Sequence, residues 1–329
     1  MIGAAVVGLG VGEAHARAYA VDPRAELRSV YDVDPEKTRR LAEELGARPA
    51  SSYEDVLADD ETKVVSIASF DDAHFEQTLA ALEAGKHVFV EKPLCRTVDE
   101  VRELKRAWEA AARPALASNL VLRAAPLFVW LRDQLAAGAL GTPYAYDGDY
   151  LYGRLHKITE GWRGDVEDYS VMLGGGVHLV DLMLWLTGQR PVRVAASGNG
   201  ISTEGTRFWY DDFAAATFEF PSGLVGRVTS NFGSVHAHQH VVRLFGTGGT
   251  VISDDAGTRF HTSREPGEQP RLLDLSPLPA GKGVLIPSFL GAVEAGNDAG
   301  ALHELDVICA CRAADRARDE RAAVDIEYV

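Results

Sequence analysis

A glycine-rich turn between an apolar run and a helical segment is the feature that most constrains what this chain can fold into. Residues 4–7 read Ala-Ala-Val-Val, residues 8–12 read Gly-Leu-Gly-Val-Gly, and helical patterning then continues to about Ala20. Glycines permit a tight turn and a close approach of backbone to a pyrophosphate, and the helix N-terminus supplies amides and the positive end of a dipole. We therefore predict a dinucleotide site that is contacted by Gly8, Gly10, Val11 and Gly12.

An acidic residue follows at the distance that such a site requires. A second strand-like run, residues 26–31, ends at Asp32, where a carboxylate accepts hydrogen bonds from an adenosine ribose. The turn departs from the G-x-G-x-x-G pattern because its third glycine comes one residue early and Glu13 stands in its place, so we expect a slightly shorter turn. Asp32 would repel a 2′-phosphate and Val33 offers no positive charge, which favours NAD over NADP.

The remainder of the first third alternates between strand-like and helical patterns. Apolar runs at 64–68, 87–90 and 115–117 are separated by helical segments at about 73–84 and 97–112. Strands separated by helices indicate a parallel sheet that is covered on both faces. The fold class is therefore α/β, and residues 1–120 are predicted to form a Rossmann domain with a doubly wound parallel sheet.

Beyond residue 120 the pattern changes to clustered strands. Helical segments at 125–137, 176–187 and 302–316 flank strand-like runs at 191–196, 213–220, 223–232, 238–245 and 249–252. Residues 218–224 read as a hairpin, so residues 121–329 are predicted to form an α+β domain with an open, largely antiparallel sheet. Helices on one face leave the other face to a symmetric partner, which predicts a homodimer or homotetramer through this sheet.

Two segments carry candidate catalytic groups. Glu91 and Lys92 follow the strand at 87–90, at the sheet edge where ligands bind in open α/β sheets. A lysine there can take a hydroxyl proton while hydride leaves the carbon, although a lysine that only pairs with a nearby carboxylate is the alternative. His178 and Asp181 share one face of an apolar helix, and burying both is costly without partners or a ligand. The presence of both residues therefore favours a functional site over a core histidine whose hydrogen bonds are satisfied within the protein.

Together these segments resemble the family of glucose-fructose oxidoreductase and inositol dehydrogenase. The matching pieces are the glycine turn with His15, Ser69 and His74, residues 85–88 with 91–94, Gly138 with Gly141, and the His178–Asp181 helix. The resemblance implies an NAD(P)-dependent dehydrogenase acting on a CH–OH group of a sugar or cyclitol. It also implies that Lys92 is catalytic with a cis peptide before Pro93, that His178 binds substrate or transfers a proton, and that Asp181 touches substrate hydroxyls.

The resemblance also places Ser69, His74, Glu91 and Lys92 at the cofactor. Many members of the family carry an aspartate four residues before the histidine, and here that position is Gly174. Either Lys92 and His178 suffice, or a nearby acid takes this role, with Asp165, Asp168 and Tyr169 as the candidates. Phe70 stands where the family often has proline.

A polar segment, residues 149–164, is dense in aromatic and basic side chains. Aromatic rings stack on sugar faces, and arginine clamps a phosphate or carboxylate at two points. Tyr152 and Arg163 are therefore candidates for binding an anionic sugar, such as a nucleotide sugar or a uronic acid. The alternative is an ordinary polar surface loop. Asn119 and Arg123, at the start of the second domain, are predicted to line the same cleft.

His236, His238 and His240 alternate along one predicted strand and would face the same side of the sheet. Such imidazoles can bind zinc, but no cysteine or acidic fourth ligand is evident nearby, so a sheet face or subunit interface is favoured and no metal is predicted.

Charge and cysteine content limit the partners and the cellular location that the sequence favours. A formal net charge of −15 argues against nucleic acid, because a phosphate-binding surface needs a basic patch. The 3 cysteines form no disulfide framework, which favours a cytoplasmic location. The N-terminus lacks the pattern of a signal peptide, and no apolar run reaches membrane-spanning length, so no membrane association is expected.

Three function classes remain open. The first is a dehydrogenase in which Lys92 and His178 handle the proton of a sugar-like substrate. The second is a sensor that binds NAD and sugar without catalysis, because a fold does not fix a function. The third is an enzyme that retains its NAD and epimerises or isomerises a sugar.

Overall fold

The computed structural model describes residues 1–166 and 168–329, which divide into two units. The first unit contains residues 1–121 and 279–308 with Val329, and the second contains residues 122–278 and 309–328. Residues 279–308 thus belong with the first unit, whereas the sequence placed them in the second domain.

Apolar runs of the first third form a parallel sheet with helices between the strands. Its strands are β1 (Ile2–Val7), β2 (Ala25–Tyr31), β3 (Arg48–Pro49), β4 (Thr62–Ile67), β5 (His87–Val90) and β6 (Leu116–Ser118). Its helices are α1 (Gly12–Val21), α2 (Pro35–Leu45), α3 (Tyr53–Leu57), α4 (His74–Glu83) and α5 (Val98–Ala110). The strand order is β3-β2-β1-β4-β5-β6 and every pair is parallel. The predicted Rossmann sheet is confirmed.

Parallel order brings the carboxyl ends of these strands to one edge of the sheet. Gly8 follows β1, Asp32 follows β2, Ser69 lies just beyond β4, and Glu91 follows β5. Residues that are far apart in sequence therefore line a single edge.

The second unit contains a mixed sheet with helices. A short helical turn at residues 121–124 spans the start of this unit, two more occupy residues 162–165 and 201–203, and a π turn occupies Met172–Gly176. The helices are α6 (Pro126–Ala136), α7 (His156–Thr159) and α8 (Val177–Thr187). The strands are β7 (Pro143–Leu151), β8 (Arg193–Asn199), β9 (Phe213–Glu219), β10 (Val225–Asn231), β11 (Gln239–Gly246), β12 (Thr250–Asp254), β13 (Gly257–His261), β14 (Arg271–Leu273) and β15 (Val324–Asp325).

These strands form a nine-stranded sheet in the order β14-β13-β12-β11-β7-β10-β9-β8-β15. β7 and β10 pair in parallel, and the other neighbouring pairs are antiparallel. The predicted largely antiparallel sheet is confirmed, including the β9–β10 hairpin around Gly223.

β7, which lies between β11 and β10, was not predicted from the sequence. Tyr146, Gly148 and Tyr150 alternate with Asp147 and Asp149 along this strand. The buried set faces α8, since the Tyr146 hydroxyl donates to the carbonyl of Leu179. The two aspartates resemble a polar loop in sequence, and they take part in the sheet because arginines of neighbouring strands neutralise them.

The last helices are α9 (Ile286–Glu294) and α10 (Ala301–Glu320). Ile286, Phe289 and Leu290 are buried in the core of the first unit, and the rings of Phe89 and Phe289 lie 5.3 Å apart. Burial of this apolar face is the physical reason that residues 279–308 join the first unit. The division of the chain at residue 120 otherwise stays a prediction.

Among the described residues, the helices are all too short or too polar to cross a lipid bilayer.

Candidate active site

The glycine turn brings β1 and β4 so close that only glycine fits at its first position. Gly8 has φ +82°, and a Cβ there would stand 2.5 Å from the carbonyl carbon and oxygen of Ala68 and from the amide nitrogen of Ser69. The Gly8 amide donates to the carbonyl of Tyr31 on β2. Any larger residue would force the strands apart or distort the turn.

The outer side of the turn is open, which fits a pyrophosphate. Apart from Gly10 itself and its two chain neighbours, no atom of the described residues lies within 4 Å of the point where a Cβ of Gly10 would stand, and Val11 is 40% exposed. α1 begins at Gly12 without a side-chain cap, and the N-terminal amides of such a helix are suited to binding an anion. The open turn and the uncapped helix start are compatible with the predicted pyrophosphate site.

Asp32 is fixed at the end of β2. Its carboxylate accepts hydrogen bonds from the amide of Leu9 at 2.6 Å, the amide of Asp34 at 3.0 Å and the ammonium of Lys37 at 3.2 Å. Burial opposes ionisation, but these hydrogen bonds and the Lys37 charge outweigh it and lower the pKa of Asp32. A charged acceptor is therefore held beside the glycine turn.

A buried polar network, unexpected from the sequence, holds Glu91 after β5. Asn119 Nδ2 donates to Glu91 Oε1 at 2.6 Å and to the carbonyl of Lys282 at 2.8 Å. His15 lies 3.4 Å from the same carboxylate oxygen, and its other ring nitrogen lies 2.9 Å from the hydroxyl of Ser66. Asn119 was predicted to line the substrate cleft. Its side chain contacts Glu91, which follows β5, and His15 of α1, so Asn119 links the ends of β5 and β6 to α1.

This network makes Glu91 a source of pH-dependent stability. Burial acts to raise the pKa of Glu91, yet its interactions with His15, Asn119 and Lys92 lower the pKa to about 2. A depressed pKa stabilises the fold above the unfolded-state pKa of about 4.5, and this contribution is lost as the pH falls towards 2. We expect Glu91→Gln to reduce the free energy of unfolding at pH 7 by on the order of 2–3 kcal/mol.

Urea unfolding of the wild type and the Glu91→Gln variant at pH 7, 4.5 and 3 measures this contribution. The difference between the two proteins should be constant from pH 7 to about 4.5 and should shrink below it. A difference that stays the same at pH 3 would contradict an ionised Glu91 with a depressed pKa.

Lys92 lies next in the chain, at the same sheet edge as the glycine turn. Its peptide bond to Pro93 is cis, as the family resemblance implied. The buried imidazole of His74 bridges the carbonyls of Pro93 at 2.7 Å and Ser69 at 3.3 Å, and the Ser69 hydroxyl donates to the side chain of Gln77. His74 and Ser69 therefore fix the segment that carries Lys92.

In the second unit, His178 belongs to a cluster of rings on one face of the sheet. We call this the β7 ring cluster, and its members are Tyr150, Tyr152, Tyr169, His178, Phe232, His238 and His240. The imidazole of His178 stacks on Tyr150 at 6.4 Å and meets His240 edge-on at 5.9 Å. His240 is the β11 neighbour of Tyr150 in register, so the cluster follows directly from the pairing of β7 with β11.

Arg123 and Asp181 form a buried two-point ion pair. Arg123 Nε lies 2.9 and 3.0 Å from the two carboxylate oxygens of Asp181, whose side chain is fully buried. The structure therefore buries the carboxylate that was predicted to touch substrate hydroxyls and pairs it with Arg123. The Arg123 side chain is 16% exposed and is the more accessible member of the pair.

The predicted polar segment 149–164 is divided between β7, α7 and a helical turn. Tyr152 is buried against Phe232, with ring centroids 4.4 Å apart, and Arg154 lies over its outer face. Arg163 is half-buried and stacks over Trp162 at 4.4 Å. Tyr152 joins the β7 ring cluster, and Arg163 lies on the helical turn that follows α7.

The three predicted histidines do not share one strand, because β11 begins only at Gln239. His238 and His240 are neighbours with ring centroids 5.0 Å apart, whereas His236 lies 3.2 Å from the carboxylate of Asp255. Within residues 1–166 and 168–329, no group of three or more histidine, cysteine or acidic side chains has the geometry of a metal site.

Comparison with known proteins finds that each unit matches a model of the same protein family. A model described as an oxidoreductase family with an NAD-binding Rossmann fold, GFO/IDH/MocA, matches residues 2–117. A model of the GFO/IDH/MocA C-terminal domain matches residues 128–252. The first unit is thus an NAD-binding Rossmann domain.

Individual relatives agree with these matches. The chain is 29% identical over 245 residues to 1,5-anhydro-D-fructose reductase of Ensifer adhaerens, covering 71% of this chain and 70% of that protein. It is 27% identical over 231 residues to inositol 2-dehydrogenase of Rubrobacter xylanophilus, covering 70% and 64%. The structure of levoglucosan dehydrogenase in complex with NADH has a TM-score of 0.88 at 21% identity and covers 100% of both chains, which is a likeness of fold.

Proposed function

The chain belongs to the GFO/IDH/MocA family of oxidoreductases, and we propose that it interconverts a CH–OH group of a sugar or cyclitol with the corresponding ketone, using NAD. The family resemblance inferred from the sequence is thereby confirmed. The named relatives act on an anhydro sugar and on inositol, which supports a small polyol substrate for this chain.

One observation carries this proposal: Lys92, Asp32 and the glycine turn lie at the same edge of one parallel sheet. The turn would hold the pyrophosphate and Asp32 the adenosine ribose. The chemistry that NAD supplies when bound is the acceptance or return of a hydride. Lys92 would take the hydroxyl proton in oxidation and return it in reduction.

The second unit would supply His178 as the partner of Lys92 in proton handling. Its imidazole is fixed by Tyr150 and His240, so it is preorganised for a substrate hydroxyl. Arg123, oriented by Asp181, and the stacked Arg163 are proposed to bind substrate oxygens, and an anionic sugar remains the more specific hypothesis. The meeting of Lys92 and His178 at one alcohol stays a prediction.

Purified protein tests the proposal directly. It is incubated with NAD and a panel of inositols, anhydro sugars, uronic acids and nucleotide sugars, while NADH absorbance and sugar products are followed together. Net NADH formation supports a dehydrogenase, whereas a new sugar without net NADH supports the retained-NAD epimerase or isomerase. Tight binding of sugar with no product across the panel would favour the sensor.

Asp32 should set the choice between NAD and NADP. We expect Asp32→Ala to raise the Kd of NADH about 10- to 100-fold, because hydrogen bonds to a charged group contribute about 1.5–3 kcal/mol. The Kd of NADPH should fall or stay constant, because the carboxylate no longer repels a 2′-phosphate. Fluorescence titration with both cofactors measures the change.

Asp34→Ala is the matched control for this variant, because Asp34 caps α2 two residues further on and its exposed carboxylate accepts from the amides of Glu36 and Lys37. It should lower stability and leave the ratio of the two Kd values unchanged. Equal weakening of NADH and NADPH in Asp32→Ala would argue against ribose recognition.

The outer face of the nine-stranded sheet is the predicted self-association surface. Asp149 accepts hydrogen bonds there from Arg227 and Arg243, and Arg227 also pairs with Asp147. Because these charges have opposite partners within the sheet, covering the face would leave none of them as an unpaired buried charge. Light scattering after size-exclusion chromatography distinguishes monomer, dimer and tetramer.

A further inference from the structure

The carboxylate of Glu91, one residue before Lys92, is held in a buried position at the sheet edge. Asn119 Nδ2 donates to Glu91 Oε1 at 2.6 Å, and His15 Nε2 lies 3.4 Å from the same oxygen. The other carboxylate oxygen, Oε2, accepts from the backbone amide of Lys92 at 3.3 Å. Because Glu91 is only 8% exposed, these contacts determine where its negative charge lies relative to Lys92.

The orientation of the Asn119 amide follows from the chemistry of its partners. Nδ2 donates to the Glu91 carboxylate and, at 2.8 Å, to the carbonyl of Lys282. Both partners can only accept hydrogen bonds, so the nitrogen of the amide must face them and the oxygen cannot. Asn119 is 1% exposed, so bulk water does not compete for these hydrogens. The side chain of Asn119 is therefore committed to donating to Glu91.

Strand pairing fixes the backbones of both residues. β5 and β6 are paired up to their last residues, Val90 and Ser118, and the amide of Asn119 donates to the carbonyl of Val90 at 2.7 Å. The amide of Glu91 donates to the carbonyl of Ile67 on β4, also at 2.7 Å. Glu91 and Asn119 thus leave the ends of neighbouring strands side by side, and their side-chain contact needs no movable loop.

Among the described residues, two titratable groups act on Glu91, His15 of α1 and Lys92. The other neighbouring elements contribute uncharged polar groups, namely the Ser66 hydroxyl of β4, the Asn119 amide after β6 and the Lys282 carbonyl before α9. Beyond Lys92, His74 of α4 contacts the carbonyl of Pro93 at 2.7 Å. Lys92, the next residue in the chain, carries the ammonium that a displaced Glu91 carboxylate would meet.

Such a displacement would matter for proton transfer. A carboxylate close to a lysine favours the ammonium form, and a group that takes a proton from an alcohol must first be without its own. A lysine that only pairs with a nearby carboxylate was the alternative to a catalytic Lys92 in the sequence, and Glu91 is the acid nearest to it in the chain. In the structure, Asn119 and His15 hold that carboxylate instead.

We propose that Asn119 is a positioning residue that holds the Glu91 carboxylate in the buried network and so keeps its charge from pairing with the ammonium of Lys92. The consequence for catalysis rests on the proposed dehydrogenase function. The effect on the protonation of Lys92 does not, so it can be tested separately. In this role Asn119 acts through Glu91, which distinguishes it from a residue that contacts the substrate.

Asn119→Ala removes the donor and frees the Glu91 carboxylate. We expect the midpoint of the pH profile of kcat/KM for oxidation to rise by about 1–2 pH units, the effect of an opposite charge brought within a few ångströms. Below the midpoint kcat/KM should fall about 10- to 100-fold and should recover at alkaline pH, which the loss of a merely structural contact would not do. Ser118→Ala, which removes another buried polar side chain at the end of β6, is the matched control and should leave the midpoint unchanged.

The Glu91→Gln background provides the decisive comparison. Without the carboxylate, Asn119→Ala should no longer move the midpoint, because the charge through which Asn119 acts is gone. A raised KM with an unchanged midpoint, in either background, would overturn the proposal and place Asn119 at the substrate. If Asn119→Ala does not fold, His15→Asn removes the second contact to the same carboxylate oxygen and should raise the midpoint in the same direction.

A second measurement needs no turnover. Reductive ¹³C-methylation labels the lysines and keeps their charge, and the Lys92 signal is identified by its loss in Lys92→Met. The titration midpoint of this signal should rise in Asn119→Ala but not in Ser118→Ala, and the rise should vanish in Asn119→Ala/Glu91→Gln. If the wild type oxidises no substrate, the dehydrogenase function fails, whereas a Lys92 midpoint that is unchanged in Asn119→Ala would overturn this inference by itself.

Discussion

Replacing Lys92 with methionine should lower kcat by a factor of about 10²–10⁴, the range found when a positioned acid–base group is lost. Methionine keeps the length and apolar stem of the side chain but can neither accept nor donate the alcohol proton. NADH binding should change by less than about threefold, since the glycine turn and Asp32 are untouched. Steady-state kinetics with a substrate identified in the panel, and NADH titration, measure the two quantities separately.

The control for Lys92→Met is Lys63→Met, the same substitution at an exposed position of β4 in the same sheet. It should leave kcat and NADH binding unchanged. If Lys92→Met keeps more than about a third of the wild-type kcat, Lys92 has no part in proton transfer. If it abolishes NADH binding instead, its role is to hold the cofactor.

The fold of the first unit could be predicted closely, because the residue patterns that indicate it are short and contiguous in the sequence. Glycines after an apolar strand, and an acid at the end of the next strand, indicate the turn and the ribose site. The rule that parallel strands end at one edge then brings Gly8, Asp32 and Lys92 together. The His15–Asn119 contact could not be predicted in the same way, because 104 residues separate the two side chains and each alone reads as an ordinary polar residue.

The second unit was harder to predict because its strands depend on distant partners. β7 was missed because Asp147 and Asp149 suggest a loop, and the arginines that neutralise Asp149 lie 78 and 94 residues further along the chain. The sequence placed His178 and Asp181 correctly on one helix. It did not show that Asp181 pairs with Arg123, 58 residues away.

The Arg123–Asp181 pair should contribute much more to the free energy of unfolding than an exposed ion pair does. Asp181 is fully buried, so Arg123→Met would leave a carboxylate in a low-dielectric interior without its two-point partner. Removing one member of a buried pair costs about 3–5 kcal/mol, because the remaining charge keeps its desolvation cost and loses its attraction. We expect the free energy of unfolding, measured in urea at pH 7, to fall by this amount.

The double variant Arg123→Met/Asp181→Leu separates the cost of a stranded charge from the loss of packing. Removing both charges should recover most of the lost free energy, because apolar residues of similar volume replace a buried pair at little net cost. Arg48→Met, which breaks a pair with Asp55 whose side chains are 44% and 32% exposed, should cost no more than about 1 kcal/mol. If Arg123→Met is as mild as Arg48→Met, or if the double variant is no more stable than the single one, Asp181 does not depend on Arg123 for compensation. A double variant that is stable but has a raised KM for substrate would instead place Arg123 in substrate binding, since Arg123 is the partly exposed member of the pair.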